Sequence, residues 1–269
     1  MPCPVCAVCG SNSVQDVFSA ESWLDISRKE SSPLHKFADV MAQNACFGIR
    51  RICRCKGCGF CFADPYPAAE DLGRFYQEYY ANRDYSAKLG KKIARARRRI
   101  LKLNKAGGYK TFLDVGCNVG AAVQAAHLCG LAASGIEIDK ESVAMAQDLF
   151  PENEYVATSV QDFARSSGRR FDIIYTTEVI EHLQDVNSFM EAVHRLLSPE
   201  GVLYLTTPDA GHFRTPKDLR HWHEMKLPEH ISLFTKKALF ILLERHGFTG
   251  VKFQRNWKPG IRLTARKAA

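Results

Sequence analysis

The sequence predicts an α/β protein built on a doubly wound, mostly parallel sheet, with a small cysteine-rich module ahead of it. Three observations point there. From about residue 108 onward, short apolar runs alternate with helical apolar patterns, the order that a parallel sheet with crossover helices requires. A glycine turn joins the first of those strands to a helix. Upstream stand two Cys-x-x-Cys knuckles, Cys6 to Cys9 and Cys55 to Cys58.

With 269 residues of which 46% are apolar, the chain can bury a full α/β core and still carry an appendage, which excludes a disordered or fibrous protein. No apolar run approaches the roughly 18 residues needed to cross a bilayer. The opening Met-Pro-Cys-Pro-Val-Cys lacks the charged-then-apolar order of a secretory leader, so a cytoplasmic protein without a transmembrane segment is expected. A net charge of +8 suits a polyanionic partner or an acidic substrate, but an ordinary solvated surface carries such a charge equally well.

Of the ten cysteines, seven fall in two tight clusters, a pattern of metal thiolates rather than disulfides. Each knuckle turns two thiolates toward one ion, and two knuckles complete a tetrahedral Zn²⁺ site from Cys6, Cys9, Cys55 and Cys58. Four thiolates close the coordination sphere, so the metal is read as structural. Cys3, Cys53 and Cys61 are spare candidates for the same site, and reduced buried thiols or a redox pair are the alternatives. The insert between the knuckles carries Trp23, Phe37 and Phe47 and a short helix near Leu34 to Met41, expected to pack on the ribbon. Asp64-Pro-Tyr-Pro67 then forms a rigid extended exit, followed by a segment with Phe75, Tyr76, Tyr79, Tyr80 and Tyr85 that is read as a linker. The expected division is therefore 1–66 zinc-ribbon-like module, 67–107 linker and basic helix, 108–269 α/β domain.

From Lys88 to Lys105, Leu89, Ile93, Ala96, Ile100 and Leu103 recur at helical spacing, and the rest of that helix is basic. Such a face is most often solvated, although RNA, anionic lipid or a nucleotide-linked substrate would also fit it.

Thr111 to Val115 reads as a buried strand, Gly116-Cys-Asn-Val-Gly120 as the turn, and Ala121 to Cys129 as the helix behind it. Strand, glycine turn and helix N-terminus make a ligand crevice. The next strand, Ala132 to Ile136, ends at Glu137, placed to accept the hydroxyls of a ribose. Further strands are expected at Glu154 to Ala157, Phe171 to Tyr175 and Val202 to Thr206, with helices at Val186 to Leu197 and Lys236 to His246. Val251-Lys-Phe and Ile261-Arg-Leu form a closing antiparallel pair.

Leu-Asp-Val-Gly-Cys-Asn-Val-Gly, with Asp114 at its acidic position, resembles the first motif of class I S-adenosylmethionine-dependent methyltransferases. Thr177-Glu-Val-Ile-Glu-His182 resembles the Glu-x-x-Glu-His signature of their ubiquinone-biosynthesis-like branch, and the knuckles resemble a zinc ribbon found before such domains. The resemblance covers residues near 108 to 265. It implies a Rossmann-like, seven-stranded sheet and S-adenosylmethionine as cofactor. It also implies that Asp114, Gly116, Cys117, Asn118 and Gly120 surround the methionine part and that Glu137, followed by Ile138, holds the ribose. Val160, Gln161 and Asp162 then flank the adenine, and Thr177 and Glu178 border the site. Asn118 stands where the family commonly has a glycine, but asparagine tolerates a left-handed backbone.

Methyl transfer to a hydroxyl requires a base, and the loops after strands four and five carry His182, His212, His221, His223 and His230. His230 is the first candidate and His182 the second. His182 serves loop orientation equally well, and a second metal on His221, His223 and His230 is a minor alternative. Trp222 is either a wall of the acceptor pocket or core. The expected acceptor is a small polar molecule such as a sugar or carbohydrate intermediate. Competing readings are an RNA methyltransferase, C-methylation of a nucleotide-activated sugar, and a non-catalytic zinc-containing scaffold.

Overall fold

A computed structural model describes residues 4–29, 31–80, 88–105 and 108–268, with residues 77–80 described by their backbone alone. Along the chain run β1 (Val14–Ser19), α1 (Ala20–Ser27), α2 (His35–Gln43), β2 (Arg51–Cys55), β3 (Cys61–Asp64), α3 (Ala69–Tyr80) and α4 (Leu89–Asn104). Then come β4 (Thr111–Val115), α5 (Ala121–His127), β5 (Ala132–Glu137), α6 (Lys140–Leu149), β6 (Glu154–Ala157), α7 (Val160–Ser166) and β7 (Phe171–Thr177). The chain closes with α8 (Val186–Leu196), β8 (Leu197–Pro208), β9 (Ser232–Leu233), α9 (Lys236–Arg245), β10 (Phe248–Phe253) and β11 (Gly260–Lys267).

Seven strands form one sheet in the order β10-β11-β8-β7-β4-β5-β6. The pairs β8–β7, β7–β4, β4–β5 and β5–β6 are parallel, and β11 is antiparallel to both neighbours. The central strands are apolar because helices cover both faces; Phe112, Leu113, Ile173, Ile174, Leu203 and Leu205 are fully buried. The chain reverses its strand order at β4, so the carboxyl ends of β4, β5 and β7 open a crevice there. Among the described residues, no helix is long and apolar enough to cross a membrane.

The second sheet, β1-β2-β3-β9, belongs mostly to the cysteine module, but its last strand comes from the far end of the chain. The expected boundary at residue 66 therefore has a continuous sheet running across it. The insert differs from expectation in the same way. Trp23, Met41 and Phe47 pack not only on the ribbon residues Ile52 and Ala63 but also on Leu219, Trp222, Met225 and Leu227. Trp222 is core, with no exposed surface.

Part of the segment read as a linker forms a helix, whereas Tyr85 lies outside the described residues. Once past Pro67, whose ring forbids a helix only through its own position, the acidic first turn at Glu70 and Asp71 starts α3. The basic helix α4 packs Ala96 and Ile100 against Ala122, Ala125 and Ala126 of α5. One of its arginines is not simply solvated: Arg99 donates to the Tyr175 hydroxyl at 2.9 Å.

Candidate active site

A cleft of about 750 Å³ opens at the carboxyl ends of β4, β5 and β7. Ten of the predicted cofactor residues line it: Asp114, Gly116, Cys117, Asn118, Glu137, Ile138, Val160, Gln161, Thr177 and Glu178. Their placement follows from backbone conformations that few residues adopt. Gly116 has φ +79°, and a Cβ there would lie 2.5 Å from Val179. Asn118 has φ +48° and accepts the Val119 N–H through its own Oδ1 at 2.8 Å. Its own N–H donates to Glu137 Oε2 at 3.0 Å, while Glu137 Oε1 accepts from the Ile138 N–H at 2.8 Å. The turn thus holds its carboxylate by the backbone.

Two predicted residues lie elsewhere. Gly120 does not line the cleft; it is the left-handed N-cap of α5, and a Cβ would meet the Tyr155 hydroxyl at 2.5 Å. Asp162 faces solvent, accepting from the Ser159 hydroxyl at 2.6 Å and pairing with Arg165, because a first-turn carboxylate serves the helix end.

Asp114 is 5% exposed, and burial together with the Glu137 charge pushes its carboxyl up to about 8. Burial likewise raises Glu137, against three backbone N–H groups that lower it. A cleft lined by two such carboxylates favours a cationic ligand.

His182 and His230 also line the cleft, with ring centroids 4.9 Å apart and planes at 80°. His230 Nδ1 donates to the Glu224 carbonyl at 2.8 Å, and His182 Nδ1 to the Glu229 carbonyl at 2.9 Å. Those bonds place the proton of each neutral ring on Nδ1 and the lone pair on Nε2. Tyr76 of α3, absent from the sequence candidates, brings its hydroxyl within 3.2 Å of His182 Nδ1 and 3.4 Å of the Glu229 carbonyl oxygen.

Glu181 is the other residue the sequence reading passed over. It is wholly buried, and burial and the Glu178 charge hold its carboxyl well above the usual range. Its place inside the motif beside His182 was the available signal; nothing local marks Tyr76.

The remaining histidines do not gather here. His221 and His223 are exposed beside Asp218 and Glu224, and His212 is buried with Nε2 3.1 Å from the Asn256 carbonyl. The metal alternative on His221, His223 and His230 is thereby corrected: one ligand atom from each of Glu181, His182 and His230 lies within 4.8 Å of the others instead.

The second cluster of ligand atoms is Cys6, Cys9, Cys55 and Cys58, also within 4.8 Å. Cys6 and Cys58 sulfurs are 3.6 Å apart, and Cys9 and Cys55 sulfurs 3.5 Å. Zn–S bonds of about 2.3 Å in a tetrahedron put sulfurs about 3.8 Å apart, so the donor set fits. Cys53 faces Asp16 and Cys61 faces Arg54, while Cys3 lies outside the described residues. Cys58 also ties the module to the start of α9, its carbonyl accepting from the Thr235 hydroxyl at 2.8 Å.

Known proteins share much of this. A ubiquinone biosynthesis O-methyltransferase of Actinobacillus pleuropneumoniae is 33% identical over 106 residues, 36% of this chain and 45% of that protein. A protein of the same name from Pseudomonas syringae is 33% identical over 36% of this chain and 44% of its own length. The chain thus spans less than half of these curated relatives. Among solved structures, a SAM-dependent methyltransferase from Archaeoglobus fulgidus aligns with TM-score 0.54 at 16% identity, over 66% of this chain and 94% of that one. The N-terminal domain of EvdMO1, solved with SAH bound, aligns with TM-score 0.51 at 17% identity, over 65% and 81%. These structures share the fold. The methyltransferase-domain family model matches residues 76–252, from the tyrosine of α3 to the middle of β10, and the chain belongs to that family.

Proposed function

We propose that this chain transfers a methyl group from S-adenosylmethionine to a hydroxyl of a small polar acceptor, with a structural Zn²⁺ on Cys6, Cys9, Cys55 and Cys58. One observation carries the reading. A single cleft is lined both by the glycine turn with Asp114 and Glu137 and by two oriented imidazoles, His182 and His230. The cofactor is doubly suited to the glycine turn: its ribose hydroxyls match the Glu137 carboxylate, and its ammonium and sulfonium charges match the acidic lining.

The chemistry is an in-line displacement. The acceptor oxygen attacks the methyl carbon, the C–S bond breaks, and its electron pair stays on sulfur. The hydroxyl proton passes to an imidazole Nε2, and His230, 4% exposed and held by the Glu224 carbonyl, is the better positioned base. The relatives named for O-methylation in ubiquinone biosynthesis support oxygen as the atom methylated. They do not single out a carbohydrate, so sugars form one arm of an acceptor screen and hydroxylated aromatics the other.

Titration calorimetry with S-adenosylmethionine, on protein whose zinc content is measured, tests the reading. Wild type binds in the micromolar range. Glu137→Ala, losing hydrogen bonds to a charged group of about 1.5–3 kcal/mol each, binds at least ~10-fold more weakly. A folded, zinc-loaded protein with no affinity for the cofactor overturns it.

A further inference from the structure

A second cavity, of about 680 Å³, lies where the cysteine knuckle meets the start of α9, and it shares no lining residue with the cleft. Lys56 follows Cys55 in the knuckle, Lys236 and Lys237 open α9, and Arg255 comes from the loop after β10; all four line this cavity. Asp209, the one carboxylate among the described lining residues, is buried and accepts from the Gly211 N–H at 2.9 Å. The lining therefore keeps a surplus of positive charge. The backbone adds to it. Thr235 caps α9 by accepting the Ala238 N–H at 3.1 Å, which leaves the N–H groups of Lys236 and Lys237 without intrahelical partners. An anion placed there meets these donors and the helix dipole together with the four side chains.

Beside the cations stands an aromatic pair. Phe213, in the cavity lining, and Trp257 are each 74% exposed, the most exposed large apolar side chains among the described residues. Their backbone is held from behind: His212 is buried, its Nδ1 accepts the Arg214 N–H at 3.1 Å, and its Nε2 donates to the Asn256 carbonyl at 3.1 Å. That imidazole ties the turn carrying Phe213 to the loop carrying Trp257. The Arg214 guanidinium lies 5.6 Å from the centre of the Phe213 ring and 5.5 Å from that of Trp257, so both rings face one cation.

We propose that this cavity binds a nucleoside diphosphate, its phosphates among Lys56, Lys236, Lys237, Arg255 and the first amides of α9, and its base against Phe213. The inference is independent of the methyl-transfer reading. Four cations converging on one helix end exceed what a carboxylate or a single phosphate needs, and lysine and arginine are both ordinary phosphate partners. An exposed ring at the edge of such a cluster stacks on any base. The cavity also falls within the roughly 300–1,000 Å³ of small-molecule sites. A polynucleotide would instead call for cations strung along a groove.

Calorimetric titration of UDP into the full, zinc-loaded chain saturated with S-adenosylhomocysteine tests the assignment; the pyrimidine and the filled cleft keep the cofactor site out of the signal. The expected result is one UDP per chain. Lys236→Ala combined with Lys237→Ala weakens UDP at least ~10-fold, and Phe213→Ala at least ~5-fold, while S-adenosylhomocysteine affinity keeps its wild-type value. All three side chains are exposed, so the variants keep the fold. Inorganic pyrophosphate binds about 5-fold more weakly than UDP and is indifferent to Phe213→Ala. Absence of UDP binding, or undiminished binding by the lysine variant, overturns the site. Pyrophosphate that binds as tightly as UDP overturns the nucleotide, and a uridine oligonucleotide that binds where UDP does not overturns the diphosphate in favour of a strand. Protein that binds UDP but neither S-adenosylmethionine nor its demethylated product removes the methyl-transfer reading and leaves this cavity its ligand.

Discussion

The cofactor part and the acceptor part of the cleft are built in opposite ways. The cofactor part is local: Asp114 through Asn118 and Glu137 with Ile138 come from two neighbouring strands and the turn between, held by backbone hydrogen bonds. The acceptor part is assembled from afar. His182 follows β7, His230 lies in the segment before β9, Tyr76 comes from α3, and β9 itself pairs with β3 of the cysteine module. A local site survives damage elsewhere. An assembled one depends on every segment that frames it.

Zinc removal breaks or sharpens that contrast most strongly. A structural zinc supplies about 10 kcal/mol of folding energy to its module at neutral pH. Loss of the module removes the partner of β9, the Cys58 carbonyl that Thr235 caps, and the Ala7 carbonyl held by Asn187 and Arg245. Chelation of zinc, or Cys55→Ser, therefore abolishes turnover while a calorimetric titration still finds cofactor binding. Parallel loss of both shows that the cofactor part also depends on the module.

His230→Ala acts next in size and inside one part only. General-base assistance is worth about 10²–10⁴-fold, so turnover falls by that amount. Cofactor affinity, measured separately, stays at the wild-type value. Unchanged turnover removes His230 from the mechanism.

The same contrast explains what was legible in the sequence. Strand β4, the turn and Glu137 could be read because spacing along the chain equals proximity in the crevice, and ten of twelve cofactor candidates line it. Asp162 lies outside the lining, its carboxylate taken up by the Ser159 hydroxyl and Arg165, while its neighbours Val160 and Gln161 line the cleft. Gly120, chosen as part of the glycine motif, has a left-handed backbone, and a Cβ there would meet the Tyr155 ring behind it. In the acceptor part, His182 and His230 were found only as separate histidines. Nothing periodic announces that a tyrosine on a helix after Pro67, a buried glutamate and a segment 50 residues further on meet. The pairing of the module's sheet with a strand from the far end of the chain was hidden for the same reason, since a two-residue strand such as Ser232–Leu233 leaves no pattern.

The smallest effect belongs to the cofactor part and reads as pH dependence. Asp114 titrates near 3.8 when unfolded and is pushed up to about 8 by burial when folded, so folding takes up a proton between those values. Its stabilising share is complete below about pH 4 and declines as pH rises, by at most about 1.4 kcal/mol per pH unit, levelling off above about pH 8. Urea midpoints of the protein without cofactor therefore fall from pH 5 to pH 8, and Asp114→Asn, which cannot ionise, flattens that slope. Bound S-adenosylmethionine opposes the decline, because its positive charges favour the ionised carboxylate. An equal slope in wild type and variant places the pH dependence elsewhere and removes Asp114 as the group that makes the empty cleft prefer a cation.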